Sequence, residues 1–365
     1  MPSPMETALS VRPAPEKGND AYSNTQPLWQ PIWGRGIFGG ALVGQSLVAA
    51  QHTVASDFVV HSLHSSFLAA GRRSQPVFYH VEAVRDGRLL KTRRVHAWQA
   101  TECIFTAFIS FVRESTIRSD MSSNGNDNKI VLRHQPQMPL VRPGIPDISS
   151  GRGEAKSELL SKTCSANPDC PFLCVRIPFA GDAGCGPESR RLRTWIRVRD
   201  HIDGDGKNVV YRQRTHLAAL AYMSDNYFVG TIQRAHHARR FHKETVDATI
   251  AALDSEHNRL SKEQAVRAFS HLADEETKEN TTSQPSLQEP LHVAMMVSLD
   301  HTIYFHNQKA VKADEWLLTE METPWAGDER GLVVQRIWSQ DGLLVATCVQ
   351  EGLVRMKQEA SISKL

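Results

Sequence analysis

Four of the six cysteines lie in one short stretch, which makes them the first candidates for metal chemistry. They are Cys164, Cys170, Cys174 and Cys185. Their spacing lacks the paired C-x2-C arrangement that usually holds a structural zinc ion. A second cluster lies in a polar stretch, where surface positions are expected, and consists of His236, His237 and His242. We therefore predict reduced thiols, no metal ion and no other cofactor.

Serine chemistry of the α/β-hydrolase kind would need a G-x-S-x-G turn that exposes the nucleophile. The candidate Gly44-Gln45-Ser46 continues with Leu47 and Val48, so the second glycine is missing. The sequence therefore disfavours a serine α/β-hydrolase.

The bulk composition of the 365 residues excludes several classes of partner. A net charge of +2 is too small to indicate binding to nucleic acid or to an anionic membrane. The apolar stretch at residues 217–223 is far shorter than the roughly 20 residues of a membrane-spanning helix. The N-terminus carries prolines and glutamates where a secretory signal would need an apolar core. We expect neither a nucleic-acid partner nor a membrane.

The carboxyl end carries a targeting signal. Ser363, Lys364 and Leu365 form the tripeptide S-K-L, which the peroxisomal import receptor reads as an address. The signal is specific because both the sequence and the position must match. We therefore expect a protein of the peroxisomal matrix with that receptor as a partner.

The elements of the first half follow a simple pattern. Residues 1–30 are polar and proline-containing and are expected to form a loose arm. Residues 36–51 show a helical pattern with many glycines, which predicts close approach of another backbone. Strand patterns follow at residues 58–68, 77–84, 92–98 and 104–112, with a turn at Asp86-Gly87. One helix followed by antiparallel strands predicts an α+β fold.

The second half repeats part of this pattern. A strand is predicted at residues 193–198, and residues 217–230 resemble the end of a strand entering a short helix. A polar insertion at about 231–290 contains a predicted surface helix from about residue 262 to 272. Strands resume at residues 293–306, 316–322, 331–338 and 343–355.

Internal similarity predicts a duplicated domain. Residues 38–44 align with 224–230, residues 81–98 with 320–338, and residues 104–113 with 343–352. The predicted fold is two fused hotdog modules, each an antiparallel sheet that wraps one helix. The N-terminal module covers residues 25–115, a linker covers 116–165, the C-terminal module with its insertion covers 166–356, and a tail covers 357–365.

An ordered set of motifs carries a family resemblance. In the second half the set is Val297-Ser298-Leu299-Asp300-His301, Glu315-Trp316-Leu317-Leu318, Gln340-Asp341-Gly342 and Val349-Gln350-Glu351-Gly352. The chain resembles the type II acyl-coenzyme A thioesterases. Trp325-Ala326-Gly327 and the terminal S-K-L are closest to the peroxisomal branch. The first half is similar through Phe38-Gly39-Gly40.

The resemblance implies hydrolysis of acyl-coenzyme A by a water held between an Asp, a Ser or Thr, and a Gln. Carried over by motif, these residues are Asp225, Ser298 and Gln350. Alone, Asp225 would be an ordinary helix N-cap, and the other two would be unremarkable strand residues. Asp300 ranks second as the base, because its place before His301 looks structural.

The resemblance leaves several points open. The repeat places Gly39, Ser62 and Phe111 opposite the three site residues, so the first module is expected to be catalytically silent. Tyr304 and the long 231–290 insertion depart from the family pattern and allow a specialised acyl-coenzyme A substrate. A hotdog enoyl-coenzyme A hydratase and a non-catalytic acyl-binding protein are the alternatives, and a homo-oligomer is possible. The arginines of residues 190–199 form either a solvated face or a contact with coenzyme A phosphates.

Overall fold

The structure, a computed structural model, describes residues 1–114, 132–142, 144–146, 169–177, 186–203, 209–241, 243–251, 262–281 and 291–357. In the first module one long helix packs against an antiparallel sheet. The helices and strands of this module are α1 (Pro4–Leu9), β1 (Val11–Pro13), β2 (Ala21–Asn24), α2 (Gly39–Gln51), β3 (Phe58–Phe67), β4 (Phe78–Asp86), β5 (Leu90–Gln99) and β6 (Glu102–Arg113). The predicted helix and strands of this half are confirmed, with ends shifted by a few residues.

The N-terminal segment is ordered, so the expectation of a loose arm was wrong. Helix α1 begins with a capping box, in which Glu6 N donates to Ser3 Oγ and Ser3 N donates to Glu6 Oε2. Met5 and Leu9 are buried, and strand β2 pairs with β4. The sequence Ser3-Pro4-Met5-Glu6 carried this signal, because S-x-x-E with proline at the first helical position is typical of a helix start.

The second module repeats the arrangement of helix and sheet. Its elements are β7 (Phe172–Ile177), β8 (Leu192–Val198), α3 (Val209–Ser224), α4 (Gly230–Ala235), α5 (Lys243–Ala251), α6 (Lys262–Thr281), β9 (Val293–Ser298), β10 (Asp300–Phe305), β11 (Leu317–Gly327), β12 (Arg330–Trp338) and β13 (Leu344–Met356). The prediction of a strand end at residues 217–230 was wrong, because residues 217–224 are the second half of helix α3. Alanine and leucine there favour a helix, and the buried position accounts for the continuous apolar run.

Both modules contribute to one antiparallel sheet. Its strand order is β1-β2-β4-β5-β6-β3-β10-β13-β12-β11-β8-β7, with β9 also paired to β13. The order of the second module mirrors that of the first about the central β3–β10 pair. The side chains alternate in exposure along β13, and Cys348, Gln350 and Gly352 lie on the buried face. The predicted α+β fold of two hotdog modules is confirmed.

Helices α2 and α3 pack closely and antiparallel to each other. Gly40 approaches the carbonyl of Tyr222, Gly44 approaches Ala218, and at the far end Gln51 bonds to Arg214. A Cβ atom on Gly40 would lie 2.1 Å from the carbonyl oxygen of Tyr222. The predicted close backbone approach is therefore confirmed, and it brings the start of α2 to the end of α3.

Parts of the linker and the insertion pack on this frame. Gln135 donates to the carbonyl of Gly342 at 2.8 Å, which holds part of the 116–165 segment on the β12–β13 hairpin. The predicted insertion helix is confirmed as α6, although it extends beyond residue 272. Among the described residues, no helix combines the length and apolar character needed to cross a membrane. The module boundaries stay predictions, and Ser363, Lys364 and Leu365 lie outside the described residues.

Candidate active site

Asp225 follows the last residue of α3 and faces a cavity of about 410 Å3. The turn that holds it spans residues 225–229 and contains Tyr227 in the left-handed region, with φ of 57°. The same cavity is lined by Ser298 at the end of β9 and by Gly39 at the start of α2. Most other lining groups are apolar, among them Phe38, Leu42 and Phe67. A carboxylate and a hydroxyl on a mostly apolar wall are typical of a site for a small molecule.

The carboxylate of Asp225 is held by groups from both modules. Gln350 Nε2 donates to Asp225 Oδ1 at 2.8 Å, and the backbone N–H of Gly40 also donates to this carboxylate. Helix α2 has no side-chain cap of its own, so Asp225 serves as the acceptor at its N-terminus. A Cβ atom on Gly39 would lie 2.6 Å from Asp225 Oδ2, which explains the glycine there. Its sequence context alone suggested that Asp225 caps the start of the helix that follows it. In the structure it instead accepts a hydrogen bond at the start of α2.

Burial controls the protonation of Asp225. Removal from water raises the pKa of this carboxyl to about 6, and the hydrogen bonds from Gln350 and Gly40 oppose part of that rise. The group is therefore mostly ionised at pH 7 but holds protons more tightly than an ordinary aspartate. A pKa near the working pH is the property expected of a general base.

Gln350 is fully buried on β13 and belongs to a chain of hydrogen bonds that the sequence did not reveal. Its Nε2 also donates to His301 Nδ1 at 3.3 Å, and His301 Nε2 lies 2.9 Å from Ser224 Oγ. Ser224 donates in turn to the carbonyl of Ala221 at 2.9 Å. Because His301 Nδ1 accepts a hydrogen bond from Gln350, the proton of the neutral imidazole is on Nε2. This N–H donates a hydrogen bond to Ser224 Oγ.

This chain fixes which way the Gln350 amide points. Burial lowers the pKa of His301 to about 3, so the ring stays neutral and remains an acceptor at ordinary pH. Both N–H bonds of Gln350 are then used, one by Asp225 and one by His301. The buried Oε1 has no protein partner among the described residues, and it remains available as an acceptor.

The three residues carried over by motif thus meet to different degrees. Asp225 and Ser298 line the cavity, whereas Gln350 does not line it and instead contacts Asp225 directly. Asp300, the second candidate for the base, instead accepts the backbone N–H of Glu351 at 2.7 Å. The contact joins the first residue of β10 to the backbone of β13. Asp300 is not among the residues that line the cavity. His301 and Ser224 were missed, because their role depends on contacts between distant elements.

The opposite end of the helix pair is built differently. Where α2 ends beside the start of α3, Arg214 donates to the carbonyls of Gln51 and Ala55 at 2.9 and 2.6 Å. This end therefore has a guanidinium of α3 that donates to carbonyls, whereas the first end has a carboxylate that accepts N–H groups. The alignment of Gly39 with Asp225 was wrong, because Gly39 opens α2 whereas Asp225 follows α3.

The remaining sequence candidates lie away from this cavity. Arg191 and Arg193 pair with Glu322 and Glu320 on β11, and none of the arginines at positions 190–199 lines the cavity. Their contact with coenzyme A phosphates stays a prediction. Within the described part of the chain, no three histidine, cysteine or acidic side chains are grouped to hold a metal ion. His242, Cys164 and Cys185 lie outside it.

Two family models match the chain, one in each half. A model described as the acyl-CoA thioesterase N-terminal domain matches residues 26–112, and one described as the acyl-CoA thioesterase C-terminal domain matches residues 145–354. The chain belongs to the acyl-CoA thioesterase family.

Relatives of this acyl-CoA thioesterase family member match along nearly the whole chain. Acyl-coenzyme A thioesterase 8 of Rattus norvegicus is 31% identical over 98% of this chain and 91% of its own. The peroxisomal acyl-coenzyme A thioester hydrolase 1 of Saccharomyces cerevisiae is 27% identical over 91% of this chain and 89% of its own. The family predicted from the motifs is confirmed.

Solved structures agree with the fold of this acyl-CoA thioesterase family member. The acyl-CoA thioesterase II of Mycobacterium marinum superimposes with a TM-score of 0.59 at 27% identity, covering 98% of this chain and 99% of its own. A hot dog fold protein of unknown function from Alicyclobacillus acidocaldarius gives a TM-score of 0.54 at 13% identity. It covers 99% of this chain and 100% of its own, and it supports the fold alone.

Proposed function

We propose that this chain hydrolyses acyl-coenzyme A thioesters to a carboxylic acid and coenzyme A, with water as the nucleophile and Asp225 as its base. The observation that carries the proposal is the carboxylate of Asp225, which lines the cavity beside the N-terminus of α2 and accepts a hydrogen bond from the buried Gln350. The family membership and the names of the relatives support the reaction class. The roles of the individual residues are inferred from geometry and chemistry.

The first step is attack of water on the thioester. The water oxygen bonds to the carbonyl carbon while the carboxylate of Asp225 takes one water proton. Gln350 Oε1 accepts the other water proton as a hydrogen bond, and the hydroxyl of Ser298 gives the water a second contact. Holding water close to the carbonyl lowers the barrier because it replaces a chance encounter with a fixed geometry.

The second step is loss of the thiolate. The negative charge on the former carbonyl oxygen is stabilised at the N-terminus of α2, where the N–H of Gly39 has no acceptor within its helix. The C–S bond then breaks, and the proton on Asp225 passes to the thiolate sulfur of coenzyme A. Asp225 returns to its ionised form, so the cycle needs no covalent intermediate.

The pH dependence of hydrolysis tests the assignment of the base. We expect kcat/KM to be nearly constant above pH 7 and to fall about tenfold per pH unit below about 6, because protonated Asp225 cannot accept a proton. A panel of acyl-coenzyme A thioesters assayed with a thiol reagent between pH 4.5 and 8.5 measures this. A profile that stays flat down to pH 4.5 in the folded enzyme would contradict a base with a raised pKa.

The proposed location is the peroxisomal matrix, through binding of Ser363, Lys364 and Leu365 to the import receptor. The terminal tripeptide and the name of the yeast relative support this location. Deletion of Leu365 should leave hydrolysis unchanged and disperse the protein into the cytosol, as seen by fluorescence microscopy. The control is Ser361→Ala, outside the tripeptide, which should keep the peroxisomal pattern. Retention of the Leu365-deleted protein in peroxisomes would show that another signal directs import.

A further inference from the structure

Helix α6 of the insertion has one buried face. Ala265, Phe269, Leu272 and Glu276 are nearly inaccessible, at intervals of four, three and four residues. This is the helical period, so all four side chains lie on the same side. Val266, by contrast, is 44% exposed on the other side. The helix predicted as a surface element is therefore docked on the protein along one face.

The docked face packs on the first module and on the loop after α4. Phe269 and Leu272 form a buried cluster with Phe241 and Ile32, and Trp33 packs against it. The ring of Phe241 lies 6.3 Å from that of Trp33 and 6.0 Å from that of Phe269. The insertion thus joins the loop that precedes α2 in the other module.

Glu276 fixes this arrangement with a set of hydrogen bonds. Its Oε2 accepts the backbone N–H groups of Arg240 and Phe241, each at 3.0 Å, and its Oε1 accepts Gln233 Nε2 at 3.0 Å. Arg240 donates to the carbonyl of Trp33 at 3.1 Å. A buried carboxylate with three donors is costly to displace, so the position of Phe241 is well determined.

Leu272 and Phe241 from the insertion, and Trp33, also line the cavity that holds Asp225. We propose that these insertion residues wall off the cavity at the place where the acyl chain ends, and that they thereby set the acyl chain length that the enzyme accepts. This inference rests on the proposed function, because it assigns the specificity of the same site. It gives the 231–290 insertion a role that the chemistry at Asp225 does not require.

Arg35, Arg234 and Arg240 also line the cavity and suit the coenzyme A phosphates, whereas Leu272 and Phe241 offer an apolar surface that suits the acyl chain. Leu272 and Phe241 are apolar and less than 10% exposed, and they belong to a packed cluster. The nucleotide of coenzyme A carries several phosphate charges and is best left in water. A hydrocarbon terminus gains free energy from contact with apolar side chains, and one methylene more or less in such a pocket typically changes discrimination about 10- to 200-fold.

Variants at Leu272 test the proposal in both directions. Leu272→Ala enlarges the cavity at this wall and is expected to raise the kcat/KM of longer acyl thioesters relative to shorter ones by at least about tenfold. Leu272→Phe fills the space and should shift the preference toward shorter chains. Phe241→Leu is a milder enlargement that should act like Leu272→Ala, and it keeps the test available if the alanine variant does not fold. The measurement is kcat/KM for saturated acyl-coenzyme A thioesters of increasing length.

The matched control is Val266→Ala, a similar truncation on the exposed face of the same helix, which should leave the length profile unchanged. Circular dichroism establishes that each variant is folded. If the parent enzyme hydrolyses no acyl-coenzyme A, the proposed function fails. If the parent is active but folded Leu272 and Phe241 variants keep its profile, only the inference fails. A uniform rise in KM for every chain length, with weaker inhibition by free coenzyme A, would place coenzyme A at this wall and also overturn the inference.

Discussion

Asp225→Asn is expected to lower kcat by about 10²- to 10⁴-fold, the usual contribution of a general base. The amide has nearly the same shape as the carboxylate, and its oxygen can still accept the hydrogen bond from Gln350. It cannot, however, take a proton from water. The loss should therefore appear in kcat, with a smaller change in KM, in steady-state assays of acyl-coenzyme A hydrolysis.

The same substitution should make the protein more stable. Burial raises the pKa of Asp225 from 3.8 to about 6, so the folded protein binds this proton more tightly than the unfolded chain does. The free energy of unfolding therefore falls as the pH rises from about 4 to about 6. Each unit of pKa difference corresponds to about 1.4 kcal/mol, so the loss reaches about 3 kcal/mol above pH 6. Asn removes this cost, so the variant should melt at a higher temperature than the parent at pH 7.

Three other substitutions complete the comparison. Ser298→Ala and Gln350→Ala should each reduce kcat less than Asp225→Asn, because the water keeps another holder, and the combined losses should not be additive. Asp300→Asn is the matched carboxylate control and should leave kcat near that of the parent, because Asp300 contacts the backbone of Glu351. A folded Asp225→Asn enzyme that works at the parent rate would remove Asp225 as the base and make Asp300 the next candidate.

Gly40→Ala is expected to lower the free energy of unfolding by about 3 kcal/mol, the upper part of the usual range for overpacking. The added Cβ would lie 2.1 Å from the carbonyl oxygen of Tyr222, and that contact is with backbone, which cannot rotate away. Helices α2 and α3 would have to separate. The N–H of Gly40 would then withdraw from Asp225, so hydrolysis should fall together with stability. Urea unfolding of parent and variant measures the change.

Gly230→Ala serves as the control for this prediction. Gly230 is the first residue of α4, as Gly40 is the second residue of α2, but in the described part of the chain no heavy atom lies within 4 Å of a Cβ placed at Gly230. The same added methyl group should therefore leave the unfolding free energy unchanged or raise it slightly, because alanine favours helices over glycine. If both variants lost the same free energy of unfolding, the cause would be the position in the first turn of a helix and not the contact of Gly40 with Tyr222.

Local patterns predicted much of the fold. The alternation along β13 and the glycines of α2 are visible in the sequence because strand and helix periods depend on neighbouring residues. Residues 217–224 were misread because a helix buried on all sides shows no polar face to mark its period. Helix α1 was missed although its capping box was present, since a short helix surrounded by polar residues resembles an arm.

Only the site residues that belong to sequence motifs were predicted. The motif match singled out Asp225 and Gln350, and the fold brings them to 2.8 Å. The roles of His301 and Ser224 could not be predicted, because a hydrogen bond between a strand and a distant helix leaves no local pattern in the sequence. The same applies to Leu272, which reaches the cavity only because the insertion docks on the first module.

The contrast between the two ends of the α2–α3 pair shows what covalent fusion of the modules permits. In an assembly of two identical subunits, any substitution appears at both symmetry-related ends at once. Here each end is encoded by its own residues, so the carboxylate of Asp225 at one end need not be repeated at the other, where Arg214 contacts the end of α2. One end is then free to accumulate contacts that hold the halves together, while the other keeps the ionisable group and the open space that weaken packing.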